Sequence, residues 1–487
     1  MDNVYSCAND NCPENMDDKD NGNIDTINQA LDNANSGKFH FRTFLTAGMG
    51  FFTDAYDLFI IGTVIAILPM VGWVITTTDA ALISSISLIA AVIGALTFGR
   101  LLDYLGRKAV YGLELVLLVI GALGSAFLSF KSVDALIFWR LLLGIGIGGD
   151  YATSSVIMSE YSNIKSRGKY VGSILSMQSI GLVVSSLLAL AFLLNTKIIP
   201  LADAWKILLA VGAVPAAVVI YYRRKMPEPP RYTVAKGHAD EAAANLKSYT
   251  GIDVKMDKKK EQVNAPWYTL FTDRKFLITL IGTAGAWFLM DWAFYGNSIM
   301  SHDIFATIIT QTGLAGLIKS TEYAALIFTV AALPGYWLAT FTLDKIGRKT
   351  IQVIGFTMLA VSYMILAAFP VLDTPGYVVE FLVVYGMSYF FMMFGPNVTT
   401  FVYPPEVFPV TTRGLGTGIS AAGAKTGAFI GTFVDAFIIV SGLSVLMSVL
   451  TVFSIAALII TVLCLPETKG RAMEEISREK EYTQTVQ

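Results

Sequence analysis

The chain has 487 residues, of which 54% are hydrophobic and 15% charged, with a mean hydropathy of +0.59. Soluble domains carry about 25% charged residues, so this balance excludes a water-soluble globular chain and points to the bilayer. A net charge of −2 leaves no electrostatic footprint for nucleic acid, and three cysteines are too few for a disulfide framework.

In chain order, residues 1–40 are rich in Asn, Asp and Gly. Such a segment cannot bury enough surface to fold alone, and it lacks the basic start and apolar core of a signal peptide. It is expected to be a disordered cytoplasmic tail. Cys7 and Cys12 within it have no His or second Cys pair nearby, so no metal site is expected there.

A helix needs about twenty apolar residues to cross the hydrocarbon core. The first such run, 43–70, carries Asp54 and Asp57, three apart and on one helix face. The second, 80–102, leads into a loop with Asp103, Arg107 and Lys108. The third, 108–129, carries Glu114. The fourth, 134–157, carries Arg140, a glycine run and Asp150, and Glu160 and Arg167 follow it. The fifth, 169–194, carries Gln178, and the sixth is 203–222. The stretch 223–275 is hydrophilic and opens with Arg223, Arg224 and Lys225.

The second series begins at 276–299 with Trp287, Asp291 and Tyr295, spaced four and four and so on one stripe. The run 320–343 is followed by Asp344, Arg348 and Lys349. After 350–370 comes 376–402, with Asn397 behind Gly395-Pro396, then Glu406 and Arg413. Lys425, between Gly423 and Gly427, lies in 414–440, and 442–465 completes the set. The expected architecture is an all-α membrane protein of twelve transmembrane helices in two pseudo-symmetric bundles, 41–222 and 276–465. A cytoplasmic loop (223–275) joins them and a cytoplasmic tail (466–487) follows.

Three patterns occur twice, at offsets of 241 (Asp103 to Asp344), 246 (Glu160 to Glu406) and 239 (Pro227 to Pro466). A parallel duplication explains the near-constant offset and suits halves that rock about a central site. Lys and Arg crowd the loops after the second, fourth and eighth runs, whereas 71–79 and 300–317 hold none. By the positive-inside rule the basic loops and both termini are cytoplasmic. Asp103, Arg107, Lys108, Glu160 and Arg167, with Asp344, Arg348, Lys349, Glu406 and Arg413, are expected to form a charge latch between the halves.

Ionisable residues at mid-bilayer cost about 2.5–3.5 kcal/mol on insertion scales and are functional candidates by default. Each has a plainer reading. Asp57 and Glu114 also suit helix-end or structural pairs, and Arg140 suits a counter-charge for a buried carboxylate. Gln178 and Asn397 suit interhelical hydrogen bonds, and Trp287 and Tyr295 suit packing. Asp150, Asp291 and Lys425 suit ion pairs. No Walker loop, metal-ligand cluster or nucleophile with its base is present, so neither an enzyme nor a cofactor is expected. His40, His238 and His302 are scattered.

The paired Asp/Gly-Arg-Lys loops resemble the signature of the major facilitator superfamily, and the likeness covers nearly all of the spanning region. Within it, Gly148-Gly149-Asp150-Tyr151 through Ser159-Glu160 is similar to the signature of the phosphate:proton symporter family. So are Phe51 through Asp57, the Trp287/Asp291/Tyr295 stripe, Gly395-Pro396-Asn397 and the glycine-flanked Lys425. The family pattern usually has Pro-Leu after Asp-Tyr, where this chain has Ala152-Thr153.

The resemblance implies a phosphate site of Tyr151, Gln178, Trp287, Asp291, Tyr295, Asn397 and Lys425. It implies proton handling by Asp54 or Asp57, by Asp150 and by Asp291, with Glu114 and Arg140 as further candidates. The expectation is a cell-membrane transporter, functional as a monomer, importing inorganic phosphate with protons. A sugar, organic-acid or phosphodiester symporter, or a non-transporting nutrient sensor, is the alternative. A buried Lys425 opposite Asp291 favours an anion, because a neutral sugar needs no buried cation.

Overall fold

A computed structural model describes residues 5–6, 23–34, 37–256 and 260–486. Cys7 and Cys12 lie outside them. Among the described residues twelve helices are long and apolar enough to cross a membrane. In order these spans are Phe39–Val71, Thr77–Leu105, Arg107–Phe127, Val133–Tyr161, Arg167–Leu194 and Leu201–Arg224. Then come Arg274–Ile299, Gly313–Ile346, Arg348–Ala368, Pro375–Val407, Arg413–Ser441 and Leu443–Cys464.

Local chemistry sets several of the ends. Thr76 and Asp79 form a reciprocal capping box at the start of the second span, and Asp273 accepts from the Lys275 amide at the start of the seventh. Side-chain caps of this kind satisfy amides that a helix leaves unpaired. The eighth span starts at Gly313 rather than near 320, because Lys319 and Glu322 neutralise each other one turn apart at 2.9 Å and let the helix run on through polar residues.

The eighth and tenth spans are not regular. Each contains a π-helical turn, Phe328–Ala332 and Met393–Asn397. Pro334 and Pro396 have no amide to donate, which breaks the ladder in both places. Gly395 takes φ −111° and ψ −105°, outside the helical range, and bends the tenth span just before Asn397. Both bends therefore sit beside polar groups of the central site.

The halves meet along two seams, the second span against the eleventh and the fifth against the eighth. A side-chain carbon on Gly99 would stand 2.6 Å from the Gly414 carbonyl oxygen, so only glycine allows the second and eleventh helices to lie this close. Near the face opposite the termini the first span also reaches the seventh.

The segments outside the bilayer correct the sequence reading. Helix Asn23–Asn33 lies within the expected disordered tail, yet Ile24, Ile27 and Leu31 are buried against Tyr232, Val234 and Leu246 of the central loop. This helix buries its apolar face on the loop. The loop itself contains helices Pro230–Ala235 and Ala239–Thr250, and its strand Lys260–Val263 pairs antiparallel with Thr483–Val486 of the C-terminal tail. Arg231, buried, bonds Asp32 of the N-terminal segment and Glu474 of the C-terminal one. The two tails and the loop thus form one cap over the face that carries the termini.

Candidate functional site

The seventh span brings Trp287, Asp291 and Tyr295 to the centre of the bundle on one helix stripe. The eleventh brings Lys425, whose Nζ donates to Asp291 Oδ2 at 3.0 Å and to the Tyr295 hydroxyl at 2.8 Å. The N-terminal half answers with Tyr151 on the fourth span, whose hydroxyl lies 2.9 Å from that of Tyr295. Lys425 Nζ also stands 3.9 Å from the centre of the Tyr151 ring and 4.2 Å from that of Tyr295. Gln178 on the fifth span donates to the Tyr151 hydroxyl. Tyr336 on the eighth span donates to Gln178 Oε1 at 3.0 Å and accepts from Asn397 Nδ2 at 3.0 Å.

All seven residues of the expected substrate site therefore lie in one place, between the halves. Each is buried, none more than 3% exposed. Tyr151, Trp287, Phe51 and Phe401 stack around one another with ring centres 4.8–6.2 Å apart. The result is a buried aromatic cage with one ammonium group, one carboxylate and a row of neutral donors.

The remaining intramembrane charges divide into two groups. Asp150 accepts from both Nη atoms of Arg223 (2.6 and 2.9 Å) and from Ser154 (2.5 Å), while Glu114 shares Arg223 at 2.8 Å. Asp54 and Asp57 are different: among the described residues neither carboxylate has a hydrogen-bond partner. Asp54 lies within electrostatic range of both the Asp150–Arg223 pair and Lys425. Arg140 donates to the backbone oxygen of Asp57 at 3.0 Å rather than to its carboxylate.

The latch residues form two crossed clusters near the face of the termini. Arg107 pairs with Glu160 at 2.7 Å and Asp103 at 3.4 Å, and Arg413 of the other half reaches the same Glu160 at 3.1 Å. In the second cluster Arg348 pairs with Glu406 at 2.7 Å and Asp344 at 2.8 Å, and Arg167 reaches Glu406 at 2.8 Å. Asp103 accepts the Gly414 and Leu415 amides (3.0 and 2.8 Å), and Asp344 accepts those of Gly168 and Lys169 (3.0 and 2.8 Å). Each aspartate thus caps a helix of the opposite half, where the helix dipole favours negative charge.

Lys108 and Lys349 depart from the expected latch. Their amides bond Glu228 and Glu467, the Lys108 side chain is exposed, and Lys349 Nζ turns to the Val462 carbonyl. A lysine on the second position past the helix-capping glycine faces outward, away from the seam.

Four residues carry roles that the sequence did not assign: Arg223, Tyr336, and Glu228 and Glu467 of the repeated Pro227-Glu228 and Pro466-Glu467 pairs. The repeated Pro-Glu pairs hold a signal for the last two, since both glutamates cap the helix that follows the Asp/Gly-Arg-Lys loop of their own half. Among the described residues no group of three or more His, Cys, Asp or Glu could hold a metal ion.

Twelve spans in two halves, closed around a buried charged site, define a major facilitator transporter. The model of the family described as "Sugar (and other) transporter" matches residues 43–479. The fold agrees with the solved proton:xylose symporter XylE bound to 6-bromo-6-deoxy-D-glucose, with a TM-score of 0.74 at 19% identity over 91% of this chain and 99% of that one. Nearer in sequence are inorganic phosphate transporter 1-11 of Oryza sativa subsp. japonica, 35% identical over 95% of this chain and 92% of that relative, and low affinity inorganic phosphate transporter 5 of Petunia hybrida, 36% identical over 94% and 95%. Probable inorganic phosphate transporter 1-6 of Arabidopsis thaliana is 34% identical over 94% and 97%. The chain belongs to the sugar (and other) transporter family of the major facilitator superfamily, together with these inorganic phosphate transporters.

Proposed function

We propose that the protein imports inorganic phosphate together with protons by alternating access, with both termini and the basic loops on the cytoplasmic side of the cell membrane. The observation that carries this reading is the buried Lys425–Asp291 pair with two tyrosine hydroxyls, set between the halves. An ammonium group with surrounding neutral donors suits a small oxyanion, and the relatives at 34–36% identity bear the name of phosphate transporters. The lack of Lys and Arg in 71–79 and 300–317 supports the orientation.

The chemistry supplies coupling. An ionised Asp291 repels a phosphate oxygen, whereas a protonated one donates to it. A bound anion draws Lys425 away, leaves Asp291 without its counter-charge, and so favours its protonation. Binding of proton and anion then reinforce one another, as linkage requires. Asp54, unpartnered and within range of both Lys425 and the Asp150–Arg223 pair, is suited to pass protons between the aqueous face and the site. With the inside negative, import is driven when net positive charge enters.

The test is uptake of radiolabelled phosphate into proteoliposomes with and without an imposed inward proton gradient. Gradient-dependent accumulation is expected, and Asp291→Asn should abolish accumulation against a phosphate gradient. Absence of phosphate uptake by folded protein would reject the cargo in favour of an organic substrate. A smaller effect is expected for Tyr336→Phe. It leaves Gln178 Oε1 and Asn397 Nδ2 short of a partner, at about 1–3 kcal/mol per unsatisfied buried group. The KM for phosphate should rise about tenfold or more, a change that uptake kinetics would detect.

A further inference from the structure

The face opposite the termini is held in part by a histidine that bridges the two halves. His302 stands in the short helix Ser301–Ala306 that follows the seventh span. Its Nε2 lies 3.1 Å from Thr63 Oγ1 on the first span, and its Nδ1 lies 2.6 Å from Ser320 Oγ on the eighth. Ser320 Oγ also lies 3.1 Å from the Leu317 carbonyl oxygen. In either neutral tautomer one ring nitrogen donates to a hydroxyl and the other accepts from one. This satisfies a neutral imidazole at both nitrogens.

The surroundings offer little to a charged ring. His302 is partly buried and lines a small cavity with Gly62, Ser185, Ser186, Ser298 and Ser301. The fifth span and the end of the seventh present serines to that cavity. Of the charged groups on the neighbouring elements, Asp303 is exposed, Lys319 and Glu322 pair with each other at 2.9 Å, and Asp57 sits deeper on the first span. Burial pushes the imidazole down to about 4. The halves are close here too, since a side-chain carbon on Gly62 would stand 2.7 Å from the Ile299 carbonyl oxygen.

We propose that His302 is a proton-binding site separate from the intramembrane carboxylates, and that its protonation unfastens Thr63 from the C-terminal half and opens the face opposite the termini. This goes beyond the transport reading above and does not depend on its cargo. Once that face is open the ring meets water and titrates near its ordinary value of about 6.5. The closed form, whose histidine titrates lower, keeps its full stability above pH of about 6.5. It loses that stability as the pH falls through the window toward 4, by up to about tenfold in the closed-to-open ratio per pH unit. The driving ion would then open the door through which it enters.

Pulsed-EPR distances in nanodiscs test this without any substrate. Cys7, Cys12 and Cys464 are replaced by serine, and labels are placed by Val74→Cys and Gln311→Cys, exposed positions in the loops after the first and seventh spans. Between pH 7 and pH 5 the parent should lengthen, with the open-to-closed ratio rising by about tenfold or more. His302→Gln, neutral at every pH, should keep the short distance throughout, and His302→Lys should be open already at pH 7.5. A parent that ignores pH, a His302→Gln protein that opens like the parent, or a His302→Lys protein that stays closed would each overturn the proposal. If phosphate uptake fails while the acid opening still depends on His302, the cargo is wrong and the gate stands.

Discussion

Lys425→Ala should leave proteoliposomes with no phosphate uptake above that of empty vesicles. The side chain supplies the site's only ammonium group among the described residues and lies over two tyrosine rings while bonding Asp291 and Tyr295. Losing it also leaves Asp291 buried without its counter-charge, and breaking a buried pair from one side costs about 3–5 kcal/mol. Lower thermal stability is therefore expected alongside lost uptake. The double variant Lys425→Ala/Asp291→Ala separates the two effects. It should recover much of the melting temperature, because no unpaired charge remains, and should still fail to take up phosphate. Uptake retained by the single variant would end the assignment of Lys425 as the anion ligand.

The second large effect concerns the closed face. Asp103→Ala together with Asp344→Ala should shift the resting protein toward a form open at the face of the termini. Each carboxylate accepts two backbone amides of the opposite half. Hydrogen bonds to a charged group are worth about 1.5–3 kcal/mol, so each loss should move the closed-to-open ratio by about 10- to 100-fold. Labels at Lys108→Cys and Lys345→Cys, both exposed, should report a longer distance in the double variant and an intermediate population in each single one. An unchanged distance with unimpaired accumulation would show that the two aspartates do not hold the face shut.

Much of this arrangement was legible in the chain because membrane solvation writes it there. A run of apolar residues must be a helix when no water can satisfy its backbone, so the spans were readable, and the stripe of Trp287, Asp291 and Tyr295 followed from helical spacing. The repeat exposed the latch, because Asp103 and Asp344 recur with their Gly-Arg-Lys partners. Arg223 was hidden for a physical reason. Beside Arg224 and Lys225 it reads as one more positive charge at a span's end, and nothing local says that its side chain turns inward to Asp150 and Glu114. Tyr336 reads as an aromatic in an apolar run until Gln178 and Asn397 are placed beside it. For the N-terminal segment a signal existed: Ile24, Ile27 and Leu31 fall at helical spacing within the polar stretch, and they find their partners in the central loop.

The crossed capping of Asp103 and Asp344 has a bearing on origins. Each half carries both a carboxylate and a bare helix end, and each gives its carboxylate to the other's helix end. That is the self-complementary contact of a two-fold homodimer, in which residue i meets j and j meets i. A single six-helix chain with these two features would carry both sides of that contact. In such a scheme the central loop, now stitched to both tails through Arg231, ties together a pair of subunits already able to recognise one another.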